Sequence, residues 1–304
     1  MVVIKFKESP KDTISDILIK DQKIYISSWD NFIYLYDFNA QSLIHKIQNT
    51  SPILKMLHSE NSIYSENLIY SEDSINFDNL IYADSCGNLN FYDQHKQNTK
   101  KIKFNLPGIS TINTFKNMFI IGGYTNKLWL YSERGLFKSI NLEDKVYNSL
   151  LINTELVLNY GNKIKIYDIR NFKVLREINN KKQIRTICIR ENKLYIGDVE
   201  GKMKIHNLDT KEEIIINAHF EIQGNVKKVY PVNCIINEGN LYSCGSDGVV
   251  NKWKEDGKLK CNKIFKNKQG IIKMASYGER LVIGSGYNYE NGVGETTEND
   301  IFMI

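Results

Sequence analysis

A ten-residue pattern recurs six times along this 304-residue chain, and it constrains the fold more than any other feature. The segments are SWDNFIYLYD (28–37), DSCGNLNFYD (84–93), GYTNKLWLYS (123–132), NYGNKIKIYD (159–168), DVEGKMKIHN (198–207) and GSDGVVNKWK (245–254). Their fourth positions are Asn31, Gly87, Asn126, Asn162, Gly201 and Gly248. Gly and Asn are the residues that most readily take the positive φ of a tight hairpin, so this column predicts a turn. Two residues on come Ile33, Leu89, Leu128, Ile164, Met203 and Val250, all apolar, and the next alternate position is apolar in five of six cases. Alternation with period two predicts a strand with one buried face.

A short β-rich run precedes each turn, such as KIYIS (23–27), KLYIG (193–197) and NLYSC (240–244), so each unit contains a hairpin within a larger sheet. The ninth and tenth positions, Tyr-Asp in three of the six segments, form a degenerate WD dipeptide. RLVIGSGY (280–287) and IFMI (301–304) supply strands for a seventh unit. Seven units average about 43 residues, within the span of WD-type blades. The chain is therefore expected to be all-β, a single seven-bladed WD-repeat β-propeller over residues 1–304. The early strand Val2–Phe6 would complete the last blade and close the ring, removing its open edges. The Ser/Glu/Asn-rich stretch near 59–76 reads as an insertion.

Composition narrows the function classes. A net charge of +5, from 40 basic and 35 acidic residues spread along the chain, gives no continuous track for nucleic acid, and no direct nucleic-acid partner is expected. Cysteines 86, 188, 234, 244 and 261 form no CxxC pair, and the histidines have no metal-ligand spacing, so neither a metal nor a cofactor is expected. No apolar run approaches the ~18 residues that span a bilayer, so no membrane partner is expected, and the chain reads as intracellular with reduced thiols. GSGYNYENGVGE (284–295) lacks the GxGxxG spacing, and no GxxxxGK[ST] loop occurs. No catalytic residue is assigned, and the chain reads as non-enzymatic.

The position just before each turn faces the rim of the propeller's central channel. It holds Trp29, Ser85, Tyr124, Tyr160, Val199 and Ser246, with Tyr287 as the expected seventh entry. Aromatics at one solvent-facing register are favoured anchors for peptides. One step past the turn, consecutive blades carry Lys127, Lys163 and Lys202, an arc suited to an acidic segment. The four aromatics and three lysines are the candidate peptide-binding set. His219 has no nucleophile or ligand partner nearby in sequence, which favours a structural role over catalysis.

Several stretches carry a more specific likeness: SPKDTISDILI (9–19) with ISSWD (26–30), EDKVY (143–147) with YDIRN (167–171), YPVN (230–233) with GSDG (245–248), and GYNYE (286–290) with the terminal DIFMI. Through them the chain resembles the small WD-repeat family of mitotic checkpoint Bub-three and nuclear-pore mRNA-export Rae/Gle propellers, the checkpoint branch more than the export branch. The resemblance implies a nuclear spindle-assembly-checkpoint adaptor, at the kinetochore in mitosis. Such an adaptor binds GLEBS-type segments of a checkpoint kinase or kinase-like protein and docks them on phosphorylated MELT-like kinetochore repeats. The alternative it leaves is an export adaptor binding a nucleoporin GLEBS segment. Trp29 matches the family tryptophan near the phosphopeptide site. Lys202 stands where the family has an Arg that pairs with acidic GLEBS residues, which keeps the charge but loses the bidentate fork. Around His219 the family's flanking basic residues are replaced by Asn217, Ala218 and Phe220, so a phosphopeptide contact there would need Lys227 or Lys228.

Overall fold

The computed structural model describes residues 2–58, 80–104, 106–116, 118–132, 135–256, 258–287 and 298–304. All helix or strand among them is strand, in seven four-stranded antiparallel sheets and one two-stranded hairpin. Blades 1 to 6 span residues 14–48, 53–103, 109–141, 148–179, 184–217 and 232–266, each with its strands hydrogen-bonded in chain order. Blade 7 contains Ile271–Tyr277, Arg280–Ser285 and Asp300–Met303, with Ile4–Lys5 as its outermost strand. The first strand of each blade packs against the first strands of its neighbours all the way round, which places them at the channel wall. The insertion expected near 59–76 lies outside the described residues. The strands that flank it in blade 2, Ile53–His58 and Leu80–Asp84, pair with each other.

The strands' composition follows their distance from the channel. Second strands are buried on both faces, as in Lys23–Ser28 and Lys193–Asp198, and are near-continuous apolar or small runs. Outermost strands face water; Asn98–Lys103, with three lysines, is almost wholly exposed, and such charge blunts a free sheet edge. Seven apolar clusters fill the junctions between blades among the described residues. The junction of blades 7 and 1 joins Ile14, Ile26, Tyr36 and Phe38 to Val282, Ile301 and Met303, with Phe6 inside it. The entering chain pairs Ile4 with Met303 and Lys5 with Phe302, and the Phe6 N–H donates to Ile301 O at 2.9 Å.

The turn column keeps its expected positive φ at Asn31, Gly87, Gly201 and Gly248. An aspartate organises each of these turns: Asp30 and Asp247 accept the N–H two residues on, and Asp84 and Asp198 accept N–H groups two and four residues on. Asn126 and Asn162 are exceptions. Blade 3 has no aspartate at either place, and in blade 4 the positive φ falls one residue earlier, at Gly161, whose N–H donates to Asn159 Oδ1. At Gly201 and Gly248 glycine is needed twice over. Besides the positive φ, a Cβ there would overlap the carbonyl oxygens of His219 and Asn267, on the segments that leave the fourth strands.

Blade 6 holds a buried relay that ties its turn to its strands. His219 Nδ1 lies 2.9 Å from Asp247 Oδ1, so Nδ1 carries the proton and Nε2 accepts from the Ser243 hydroxyl at 2.9 Å. The Trp253 indole N–H donates to the same Ser243 oxygen at 3.0 Å. Ser243→Ala removes little volume but leaves both the indole N–H and His219 Nε2 without this partner. The variant should lose roughly 2–4 kcal/mol of stability in urea unfolding. A loss below about 0.5 kcal/mol would show that the relay is dispensable.

Candidate peptide-binding site at the channel mouth

A recurring irregularity shapes the end of the channel where the hairpin turns lie. In six of the seven first strands the register with the second strand slips by one residue, between Ile14/Asp16, Ile53/Lys55, Ile109/Thr111, Ile184/Thr186, Val232/Cys234 and Ile271/Lys273. The extra residues are Ser15, Leu54, Ser110, Arg185, Asn233 and Ile272. All six line one cavity of about 360 Å³ at the channel mouth. A bulge re-aims the side chain it inserts, and here the whole set is turned inward.

Over that cavity stand Trp29, Tyr124 and Tyr147, with Lys55, Arg185 and Lys273 in its wall and no carboxylate among its described lining residues. Trp29 is 45% exposed and Tyr124 41%, although both are on fixed backbone: Trp29 N–H donates to Thr13 O at 3.0 Å and Tyr124 N–H to Gly108 O at 3.2 Å. The Tyr124 and Tyr147 rings meet edge to face at 6.3 Å. Lys55 Nζ lies 2.9 Å from Asp16 Oδ2, which also accepts the Met56 N–H. Burial by itself would lower the Lys55 ammonium, and the Asp16 carboxylate overcomes it, holding the group above the ordinary lysine value. Arg185 reaches Asn233 Oδ1 at 3.5 Å, while Asn233 Nδ2 donates to Ser246 Oγ and Ile271 O, both at 2.9 Å. The mouth is thus a preorganised rim of aromatic surface around positive charge.

The structure divides the residues expected from sequence. Trp29 and Tyr124 stand at the mouth as expected. Tyr160 does not face solvent: the altered turn of blade 4 buries its ring, and its hydroxyl bonds that of Tyr167 at 2.9 Å. Tyr287 is half-buried, with its carbonyl accepting the Thr13 hydroxyl. Lys127 is exposed at the start of its strand, outside the cavity lining. Two lysines of the expected arc face carboxylates. Lys163 lies 3.2 Å from Glu143 and 3.8 Å from Glu177, and Lys202 lies 3.1 Å from Glu200, which also takes Lys182 at 2.6 Å. His219 is buried in the blade 6 relay and presents no surface to a phosphate. Lys227 and Lys228 are exposed on the strand Val226–Val229 of the extra hairpin, their ammonium groups over the Phe220 and Tyr230 rings at 4.6 and 5.0 Å. Sequence reading missed Tyr147, Lys55, Arg185 and Lys273. Only a comparison of first strands with one another, at the residues flanking each bulge, would have brought the three cations together.

No family model matches the chain. Among curated proteins, mitotic checkpoint protein BUB3.1 of Arabidopsis thaliana is 23% identical over 97% of this chain and 90% of its own length. The chain resembles the mitotic checkpoint BUB3 proteins along almost its whole length. BUB3.3 of the same plant is 19% identical over 99% of this chain and 98% of its own. Among solved structures, the RRP9 WD40 repeats align with a TM-score of 0.81 at 13% identity, covering 99% of this chain and 96% of that one. A chain from the mitotic checkpoint complex aligns with a TM-score of 0.75 at 12% identity, covering 99% and 90%. The fold is that of a WD40 propeller, and the BUB3 relatives match it from the first blade to the last.

The ion pair in the wall has a measurable consequence. In an Asp16→Asn variant Lys55 loses its counter-charge, so the Lys55 pKa should fall from its raised value. Side-chain NMR titration of the lysine ζ nuclei reads this directly. A Lys55 titration unchanged from the parent chain would mean that Asp16 does not hold it.

Proposed function

We propose that this chain is a non-enzymatic adaptor of the mitotic spindle-assembly checkpoint, acting in the nucleus and at the kinetochore. It holds a GLEBS-type segment of a checkpoint kinase or kinase-like protein across the channel mouth. The observation that carries the reading is the cavity of about 360 Å³ rimmed by Trp29, Tyr124 and Tyr147 and walled by Lys55, Arg185 and Lys273. Exposed aromatics on fixed backbone cost little ordering entropy when they bind, and Arg185 and Lys273, beside a Lys55 that Asp16 already pairs, favour an acidic segment. The names of the curated relatives supply the checkpoint context. Docking on phosphorylated MELT-like kinetochore repeats falls in this reading to Lys227 and Lys228, because His219 is engaged by Asp247 and Ser243.

Calorimetric titration of the full chain with a GLEBS-type segment of its own organism's checkpoint kinase, beside a nucleoporin GLEBS segment, tests this. The kinase segment should bind in preference, and its affinity should fall with added salt. Trp29→Ala should weaken it by about tenfold or more, as for a central aromatic anchor. Arg185→Glu should weaken it further, by placing a like charge against the acidic segment. Preference for the nucleoporin segment would move the chain to mRNA export, and indifference to both substitutions would remove the segment from the channel mouth.

A further inference from the structure

One rung of blade 6 sets two cysteines face to face. Cys234 follows the bulge residue Asn233 on the first strand, and its register partner on the second strand is Cys244. The equivalent rungs of the other bulged blades are Asp16/Ser27, Lys55/Ala83, Thr111/Gly122, Thr186/Gly197 and Lys273/Gly284, so a pair of thiols is peculiar to blade 6. Space is short at this rung: in blades 3 and 5 a Cβ on Gly122 or Gly197 would come within 2.8 or 2.7 Å of the threonine side chain opposite. With a side chain on both strands, blade 6 brings its two sulfurs into hydrogen-bond contact, inside the cluster that joins it to blade 7. Both cysteines are free, Cys244 fully buried and Cys234 8% exposed.

Opposed residues of an antiparallel pair have Cα atoms about 4.5–5.5 Å apart, within the roughly 4.4–6.8 Å that a disulfide spans. A bond between the two sulfurs therefore needs no large movement of either strand. The surroundings also divide the roles of the two sulfurs. Cys244 donates its S–H to Cys234, and Lys273 on the next blade adds its charge; together they overcome burial and lower the Cys234 thiol to about 6. The thiolate is the attacking form of a cysteine. The proton stays on Cys244, whose thiol burial raises. Cys188, on the first strand of blade 5, is pushed up to about 12 by its burial, and its register partner is Tyr195.

We infer that Cys234 and Cys244 form a disulfide when the folded chain meets a peroxide, and that this bond is felt at the channel mouth. The Cys234 thiolate attacks one oxygen of hydrogen peroxide, the O–O bond breaks, hydroxide leaves, and Cys234 becomes a sulfenic acid. The Cys244 sulfur then attacks the Cys234 sulfur, the S–O bond breaks, and the hydroxyl departs as water with the Cys244 proton. The two thiols are oxidised and the peroxide is reduced; a dithiol reductant reverses the bond by exchange. Cys244 Sγ lies 3.7 Å from Ile271 O and Cys234 Sγ 3.8 Å from Met274 O. Those carbonyls bracket Ile272 and Lys273 in the wall of the mouth, so drawing the sulfurs together changes contacts that hold the wall. This holds whatever segment the mouth binds.

Treatment of the folded full chain with hydrogen peroxide, followed by unfolding, alkylation, tryptic digestion and mass spectrometry, tests this. Cys234 and Cys244 fall in one fragment, 229–252, so the disulfide reads as the loss of two hydrogens and the absence of alkylation at both sulfurs. The fragment should convert at a dose that also oxidises the exposed Cys86 and Cys261, and revert with dithiothreitol. Cys244→Ala, the residue type that blade 2 carries at this rung in Ala83, should instead leave Cys234 as a sulfenic acid that dimedone labels. In the parent chain, the amide resonances of Ile272 and Lys273 should shift on oxidation and return on reduction. A fragment with both thiols intact at that dose would overturn the inference. So would a bond from Cys234 to Cys188, no dimedone label in the variant, or unmoved Ile272 and Lys273 amides once the bond has formed.

Discussion

Each blade is a small twisted sheet whose second strand is apolar on both faces, and it can bury both only by standing between two other blades. A row of such sheets leaves an uncovered face at each end, and closing the row into a ring removes both. The junction of blades 7 and 1 therefore decides whether the other six persist. There the chain's two ends meet: Ile4 and Lys5 add the outermost strand to blade 7, and Phe6 enters the cluster shared with Ile14, Tyr36 and Ile301. Contact between residues almost 300 positions apart carries a large loop-closure entropy, offset because the same contact covers apolar faces of two blades.

Once closed, the ring holds seven first strands side by side, and this turns a local irregularity into a site. A single bulge would re-aim one side chain. Six at equivalent places turn Ser15, Leu54, Ser110, Arg185, Asn233 and Ile272 into one space, and the turns set Trp29 and Tyr124 above it. Polar side chains hold the edges in place. Where the aspartate-organised turn is kept, as in blades 1, 2, 5 and 6, the fourth position keeps its positive φ. Where it is not, in blades 3 and 4, the turn changes, and in blade 4 Tyr160 goes inward to Tyr167.

Charge follows the same division between local and assembled. Lys163 and Lys202 lie at equivalent steps past their turns, yet each meets carboxylates of a different origin: for Lys163, Glu143 precedes blade 4 and Glu177 is on that blade's fourth strand, and for Lys202, Glu200 is in the blade 5 turn itself. The cations that do line the mouth, Lys55, Arg185 and Lys273, belong to first strands, where no ten-residue pattern draws attention to them. Lys55 keeps its charge there because Asp16 on the neighbouring blade offsets its burial.

The sequence by itself determined the strands, the period and the number of blades, because alternation and turn residues act over a few positions and recur. It also marked Trp29 and Tyr124, which lie on the backbone those turns define. Only the tertiary structure decided which cations meet at the channel mouth, which lysines are neutralised and that His219 is locked between Asp247 and Ser243. The mouth depends on residues from different blades brought together by ring closure and on one-residue slips in register that leave no mark in the alternation of apolar and polar residues, whereas the lysine pairs and the His219 relay depend on side-chain placement within or beside a single blade.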